Sequence, residues 1–294
     1  MLNWPLRRPY DFHAGYEGVL GTSLDIHLRT DSKAIADAAN RMILDEIDRL
    51  ELIFSAFRAD SEFSRFQATH EEWIEVSLEL ATVLKAAEEW RERSGGRFLP
   101  IASRSHQPQV AGTPLWEVSG NLARRLTTMT GSLNAIAKGF IVDQCIDRAQ
   151  SLMGVQRVVI NIGGDLRHSG QGGATVTVTD PFSDAENQSR ASDTVIRNAA
   201  VATSGGQRRG QMIDGQWHSH IIDPRSGKSA LFVSSVTVVA QSAMLADVWS
   251  TVLSVASNKK ELESEPGIAY FVTLSSGQNL SNAEWTLLSQ SGQR

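Results

Sequence analysis

Between residues 21 and 57 the apolar residues change their period. GTSLDIHLRT (21–30) alternates apolar and polar side chains, which predicts a half-buried strand. The next segment, DSKAIADAANRMILDEIDRLELIFSAF (31–57), carries Ile35, Ala38, Met42, Ile43, Ile47, Leu50 and Phe54 at three- and four-residue spacing. That predicts one long helix with a single buried stripe. Such a strand and such a helix each need a second layer to cover the apolar face.

The switch recurs along the chain. SLELATVLKAAEEWRERSG (77–95) reads as a helix stopped by Gly95-Gly96, and AIAKGFIVDQCIDRAQSLM (135–153) as another. RVVINI (157–162), ATVTVTD (174–180), AAVATS (199–204), WHSHII (217–222) and VSSVTVVA (233–240) read as strands, and AMLADVWSTVLSVAS (243–257) as a closing helix. Residues 100–120 and SDAENQSRASD (183–193) read as loops. Interleaved helices and late strand pairs predict an α+β layered fold, with a mixed, mainly antiparallel sheet flanked by helices.

Composition narrows the function. Lys plus Arg is 28 against 33 Asp plus Glu, a net charge of −5, which argues against a general nucleic-acid binder. The single cysteine, Cys145, excludes an internal disulfide and a cysteine-cluster metal site. No run approaches the length of a membrane span, and no apolar run follows Arg7-Arg8, so the expectation is a cytoplasmic protein. None of the glycine clusters has dinucleotide-fold or P-loop spacing.

Five segments carry possible chemistry. In LNAIAKGF, Lys138 follows a candidate N-cap, Asn134, so a helix N-terminus and an ammonium would meet; this suits a phosphate, or is a solvated lysine. In MLADVWST, Asp247 and Thr251 are four apart on one helical face. Carboxylate plus hydroxyl is hard oxygen ligation for magnesium or calcium, and the alternative is an acid near a helix start. In WHSHIIDPRSG, His218 and His220 share a strand face before an Asp-Pro-Arg-Ser-Gly turn, and a histidine there is either a base or a structural residue. INIGGDLR pairs two glycines after a strand, for close ligand approach or a tight turn. AVATSGGQRR ends on Arg208 and Arg209, an anion site or a solvated turn.

In this order, LNAIAKGFIVD, VINIGGDLR, AVATSGGQRR, HSHIIDPRSG and SVTVVAQSAMLADVWSTVLSVA resemble the ApbE family of flavin transferases, as do EGVLGTSLDI and EIDRLELIFSAFRADSEFSRFQ. The resemblance runs from about Gly18 to Ala256. It implies a T-fold-like domain over 18–294 after an extension over 1–17. It implies an enzyme that takes FAD with Mg2+, releases AMP and joins FMN to a Thr or Ser of an acceptor flavoprotein. By position it implies metal contacts at Asp247, Thr251, Ser250 and the Ala135 carbonyl. It implies flavin or nucleotide contacts at Leu20, Phe57, Phe98, Leu99, Ser132, Lys138 and Ile221, with His220 as base and Lys138 beside the phosphates. The chain departs from the family pattern at Ser132, where an acid is usual, at Phe57 for tyrosine, at Gln67 for asparagine and at Leu99 for aspartate. Those departures keep in view a non-catalytic FAD-binding protein, and the same metal half would also serve a Mg-dependent FAD pyrophosphatase in which water replaces the acceptor hydroxyl, giving FMN and AMP.

Overall fold

The computed structural model describes residues 8–102, 114–183, 189–205, 210–213, 216–219 and 221–291. The elements run β1 (Tyr10–Val19), β2 (Thr22–Thr30), α1 (Lys33–Phe54), α2 (Glu62–Gln67), β3 (Trp73–Glu75), α3 (Leu78–Arg93), β4 (Trp116–Ser119), β5 (Leu122–Arg125), α4 (Ala137–Gln150), β6 (Val155–Ile162), β7 (Asp165–Gly170) and β8 (Ala174–Thr179). They continue through β9 (Arg190–Ile196), β10 (Ala200–Gly205), β11 (Gly210–Ile213), β12 (Gln216–Ser219), β13 (Ile222–Asp223), β14 (Lys228–Ser229), β15 (Val233–Ala240), α5 (Ala243–Ser254), β16 (Ala269–Leu274), β17 (Asn279–Ser281) and α6 (Ala283–Ser291). One eight-stranded sheet, ordered β1-β2-β6-β7-β10-β15-β16-β17, organises them, and each neighbouring pair is antiparallel.

Period-2 alternation divides this sheet between two cores. Ala200, Ala202, Val236, Val238 and Val272 point into the main core, where α5 packs on β10 and β15. Val201, Val239, Ala269 and Phe271 face the opposite way, toward the β8–β9 hairpin and Trp285 of α6. β15 is therefore buried on both faces along all eight residues, Ser234, Ser235 and Thr237 included.

Several elements differ from their sequence reading. β1 starts at Tyr10 and pairs along β2, so it crosses the expected boundary at residues 17 and 18. The stripe that α1 buries runs through Ala36, Ala39, Ile43, Ile47, Leu50 and Phe54, with Ile35, Ala38 and Met42 on its half-buried flank. The polar segment 183–193 ends inside β9, where the hairpin partner β8 supplies the backbone bonds that the side chains do not advertise. Residues 100–120 include β4, which joins β3 and β5 in a small separate sheet.

Asn134 is not the cap of α4. The cap position is Ile136, with φ −149° and ψ −37°, and no side chain of the segment caps it. The two glycines after β6 form the tight turn into β7, at φ 60° and 103°, the left-handed geometry that suits a two-residue hairpin. That turn delivers Asp165 to the start of α4.

Candidate functional site

The C-terminal edge of β10, the starts of α4 and β7 and one face of α5 enclose a cavity of about 1160 Å3. Leu20, Phe57, Leu99, Ala135, Lys138, Ile221, Asp247 and Thr251 line it, all residues singled out in the sequence. Leu20 sits at φ 50° in the β1–β2 turn, a conformation that non-glycine residues rarely hold, and lines the cavity. Phe57 stands at the mouth, 89% exposed.

Three singled-out residues fall outside the lining. Phe98 is 1% exposed and packs in the main core. Ser250 is buried, with its hydroxyl donating to the Asp247 carbonyl at 2.9 Å and bonded to Ser204 Oγ at 2.8 Å. Ser132 is half-buried beside the lining, and its N–H bonds the Pro100 carbonyl. His220, Arg208 and Arg209 lie outside the described residues, and of His218 the backbone alone is described.

The acidic corner is the densest part of the cavity. Lys138 projects from the first turn of α4 and pairs with Asp165 Oδ2. Asp165 is 3% exposed and Asp247 is 5% exposed. Burial pushes the Asp165 carboxyl up, and the Lys138 ammonium pulls it back. Asp247 is pushed well above the usual carboxylate range, by burial first and by the charge of Asp165 second, against Lys138 and the Gly139 N–H. Among the described residues, Asp247 Oδ2 has no hydrogen-bond partner. Two buried carboxylates thus share one ammonium, and an unpartnered buried charge is costly. A hard cation on Asp247 would remove that deficit, and Thr251, one turn on in α5, and Ala135 line the same cavity.

A basic end lies past α5. The turn after β13 is built as the sequence suggested: Gly227 sits at φ 67°, and its N–H donates to the Asp223 carbonyl at 2.8 Å. Arg225 grips Asp223 through Nε and Nη2, both at 3.0 Å, and Glu261 at 3.0 and 3.1 Å, and donates to the Val255 carbonyl at the end of α5. This clamp holds Ile221, Ile222 and Pro224 against the cavity. Arg97 also lines it, bonded to the carbonyls of Ser94 and Glu261 at 3.1 and 2.8 Å. Burial and then the neighbouring Arg225 lower its pKa.

The hydrogen bond from Arg225 drives Glu261 down to about 2 from 4.5. A depressed carboxylate stabilises the fold above its unfolded pKa and loses that contribution on acidification. The stability gap between the wild type and Glu261→Gln is therefore expected to be full above pH 4.5 and to close toward pH 2. Urea midpoints of both proteins across that range measure it, and a gap that is constant with pH would contradict the clamp.

Asp165, Asp143 and Arg97 did not stand out in the sequence. Asp165 had one signal, an acid directly after a strand and two glycines. Asp143 and Arg97 carried none, because Asp143 acts on Ala243 and Met244, and Arg97 on Glu261, all distant in the chain.

The sequence profile of the ApbE family matches residues 20–271. An FAD:protein FMN transferase of Vibrio cholerae serotype O1 is 30% identical over 257 residues, covering 78% of this chain and 75% of that protein. The Escherichia coli K12 protein of the same name is 28% identical over 196 residues, covering 64% of this chain and 52% of that one. Among solved structures, the apo form of the Pseudomonas stutzeri flavinyl transferase ApbE superposes with a TM-score of 0.80 at 22% identity, covering 96% of this chain and 97% of that one. The ApbE protein of Thermotoga maritima gives 0.77 at 23% identity, covering 96% and 99%. At these identities the structural likeness speaks for the α+β fold alone. Among the described residues no helix is long and apolar enough to cross a membrane.

Proposed function

The chain belongs to the ApbE family, and on that premise we propose that it is an FAD:protein FMN transferase dependent on Mg2+. Its substrates are FAD and a Thr or Ser hydroxyl of an acceptor flavoprotein. The hydroxyl oxygen forms a new bond to the flavin-side phosphorus, the bond from that phosphorus to the bridging oxygen breaks, and AMP leaves with that oxygen. The observation that carries this reading is the buried Asp247 oxygen, without a hydrogen-bond partner among the described residues, beside the Lys138–Asp165 pair in a cavity of dinucleotide size.

Asp247, Thr251 and the Ala135 carbonyl would hold the Mg2+, with Ser250 supporting Asp247 from behind. When bound, the ion supplies Lewis-acid neutralisation of the diphosphate. Lys138 adds positive charge where negative charge develops, and Asp165 orients its ammonium. His220 takes the acceptor proton. Leu20, Phe57, Leu99 and Ile221 offer apolar surface to the flavin or the adenine.

Incubation with FAD, Mg2+ and an acceptor protein is expected to add the mass of FMN to the acceptor and to release AMP in equal amount. FMN and AMP formed at an undiminished rate without acceptor would make the protein a pyrophosphatase. Tight FAD binding without turnover would make it a flavin-binding protein. His220→Ala is expected to slow transfer roughly 100-fold, the usual worth of a general base. Single-turnover rates of FMN transfer measure this, and an unchanged rate would remove His220 from the reaction.

A further inference from the structure

Asp143 does not line the cavity, yet it holds the helix that carries Asp247. Its Oδ1 accepts the Ala243 N–H at 2.8 Å and its Oδ2 accepts the Met244 N–H at 3.0 Å. These are the first two residues of α5. The Ser242 hydroxyl accepts the Leu245 N–H at 3.3 Å, so the opening turn of α5 is capped from two sides. Asp247 follows in the next turn. Arg167, two residues after Asp165 on β7, donates to Asp143 Oδ1 at 2.9 Å and pairs with Asp147 at 3.1 Å. The strand that presents Asp165 therefore also fixes Asp143.

The arrangement is reciprocal. α4 and α5 touch backbone to backbone at Gly139 and Ala243, each four residues before its acid. The Asp143 carboxylate caps the start of α5, while the Gly139 N–H near the start of α4 favours the charged form of Asp247. One carboxylate per helix ties the two N-termini into one register.

We infer that Asp143 is a positioning residue for the cation site: with Arg167 it clamps the first turn of α5, and so sets Asp247 against the Lys138–Asp165 pair before a cation arrives. This rests on the reading of Asp247 as the Mg2+ carboxylate. Groups that orient metal ligands typically change affinity 10- to 100-fold when removed. A residue that merely stabilised the fold would lower the melting temperature and leave Mg2+ affinity alone well below it.

The test is calorimetric titration of the full chain with MgCl2 alone, without FAD, well below the unfolding midpoint of each variant. Asp143→Ala is expected to bind Mg2+ roughly 10- to 100-fold more weakly. Asp143→Asn, which keeps an acceptor oxygen, is expected to recover part of that loss. Arg167→Gln, which leaves the carboxylate in place, is expected to weaken binding several-fold, and it decides the matter if Asp143→Ala does not fold. Wild-type Mg2+ affinity in a folded Asp143→Ala, or in Arg167→Gln where the alanine variant does not fold, overturns the inference, provided Asp247→Asn has lost binding. Wild-type affinity in Asp247→Asn overturns instead the reading of Asp247 on which it rests.

Discussion

Asp247→Asn is expected to make the metal-free protein more stable and to abolish FMN transfer, two effects of opposite sense from one substitution. The carboxylate is 5% exposed, has an unpartnered oxygen among the described residues, and faces the charge of Asp165. Its ionised form is therefore a standing destabilisation of the fold. Asparagine removes the charge, keeps an oxygen for the Gly139 N–H, and leaves Lys138 and Asp165 as a balanced pair. An unsatisfied buried polar group costs about 1–3 kcal/mol, and more when charged, so its relief is expected to raise the melting temperature by several degrees for a chain of this size. Transfer is expected to fall by about 1000-fold or more, because a metal's charge neutralisation is worth several kcal/mol and each 1.36 kcal/mol is tenfold in rate. Added Mg2+ should reverse the order of stability, since only the wild type gains binding energy in the folded state. Melting curves in chelator and in MgCl2, together with transfer rates, check all three statements. A metal-free variant that melts below the wild type would mean that the carboxylate is satisfied in the fold and is not held ready for a cation.

The parts of this arrangement that the sequence displayed are those where periodicity or a local pair carries the information. β2, α1, α3, α4 and α5 are long and strongly patterned, and their positions follow from the apolar residues alone. Asp247 and Thr251 share a helical face by spacing, and Lys138 is tied to a helix start. The start of β9 is hidden because Arg190, Ser192 and Asp193 show no apolar alternation, and backbone pairing with β8 holds them in the strand. The start of α4 is not legible because no side chain of its own segment caps it, and its Gly139 N–H meets Asp247 of another helix. Asp143 was invisible for the same reason, since its partners Ala243 and Met244 are 100 and 101 residues away. Local chemistry marks the groups that react, and the fold alone shows which groups hold them.

The reciprocal crossing makes Gly139→Ala the most informative change outside the reacting groups. By helix propensity it should help, since alanine is favoured over glycine within a helix by about 1 kcal/mol. The crossing reverses that expectation. A Cβ at Gly139 would lie 2.5 Å from the Ala243 carbonyl oxygen, and 2.6 Å from both the Ala243 carbonyl carbon and Met244 Cα. All three are backbone atoms, so no side chain can rotate away. Relief needs α4 and α5 to separate by about 1 Å to reach ordinary contact distance. Overpacking of this kind costs about 1–3 kcal/mol and occasionally more, and the separation also breaks the approach of Gly139 to Asp247 and of Asp143 to Ala243. The expected net loss is about 2 kcal/mol, with a fall of roughly 5 °C in melting temperature. Transfer should fall by roughly 100-fold, because Lys138 and Asp247 ride on the two helices being parted and a displacement of about 1 Å at a reacting centre has that effect. Thermal melts and FMN-transfer rates of the variant measure both. A protein that melts at or above the wild type and keeps its rate would mean that the helices can slide past one another without disturbing the corner, and that their register is not what sets it.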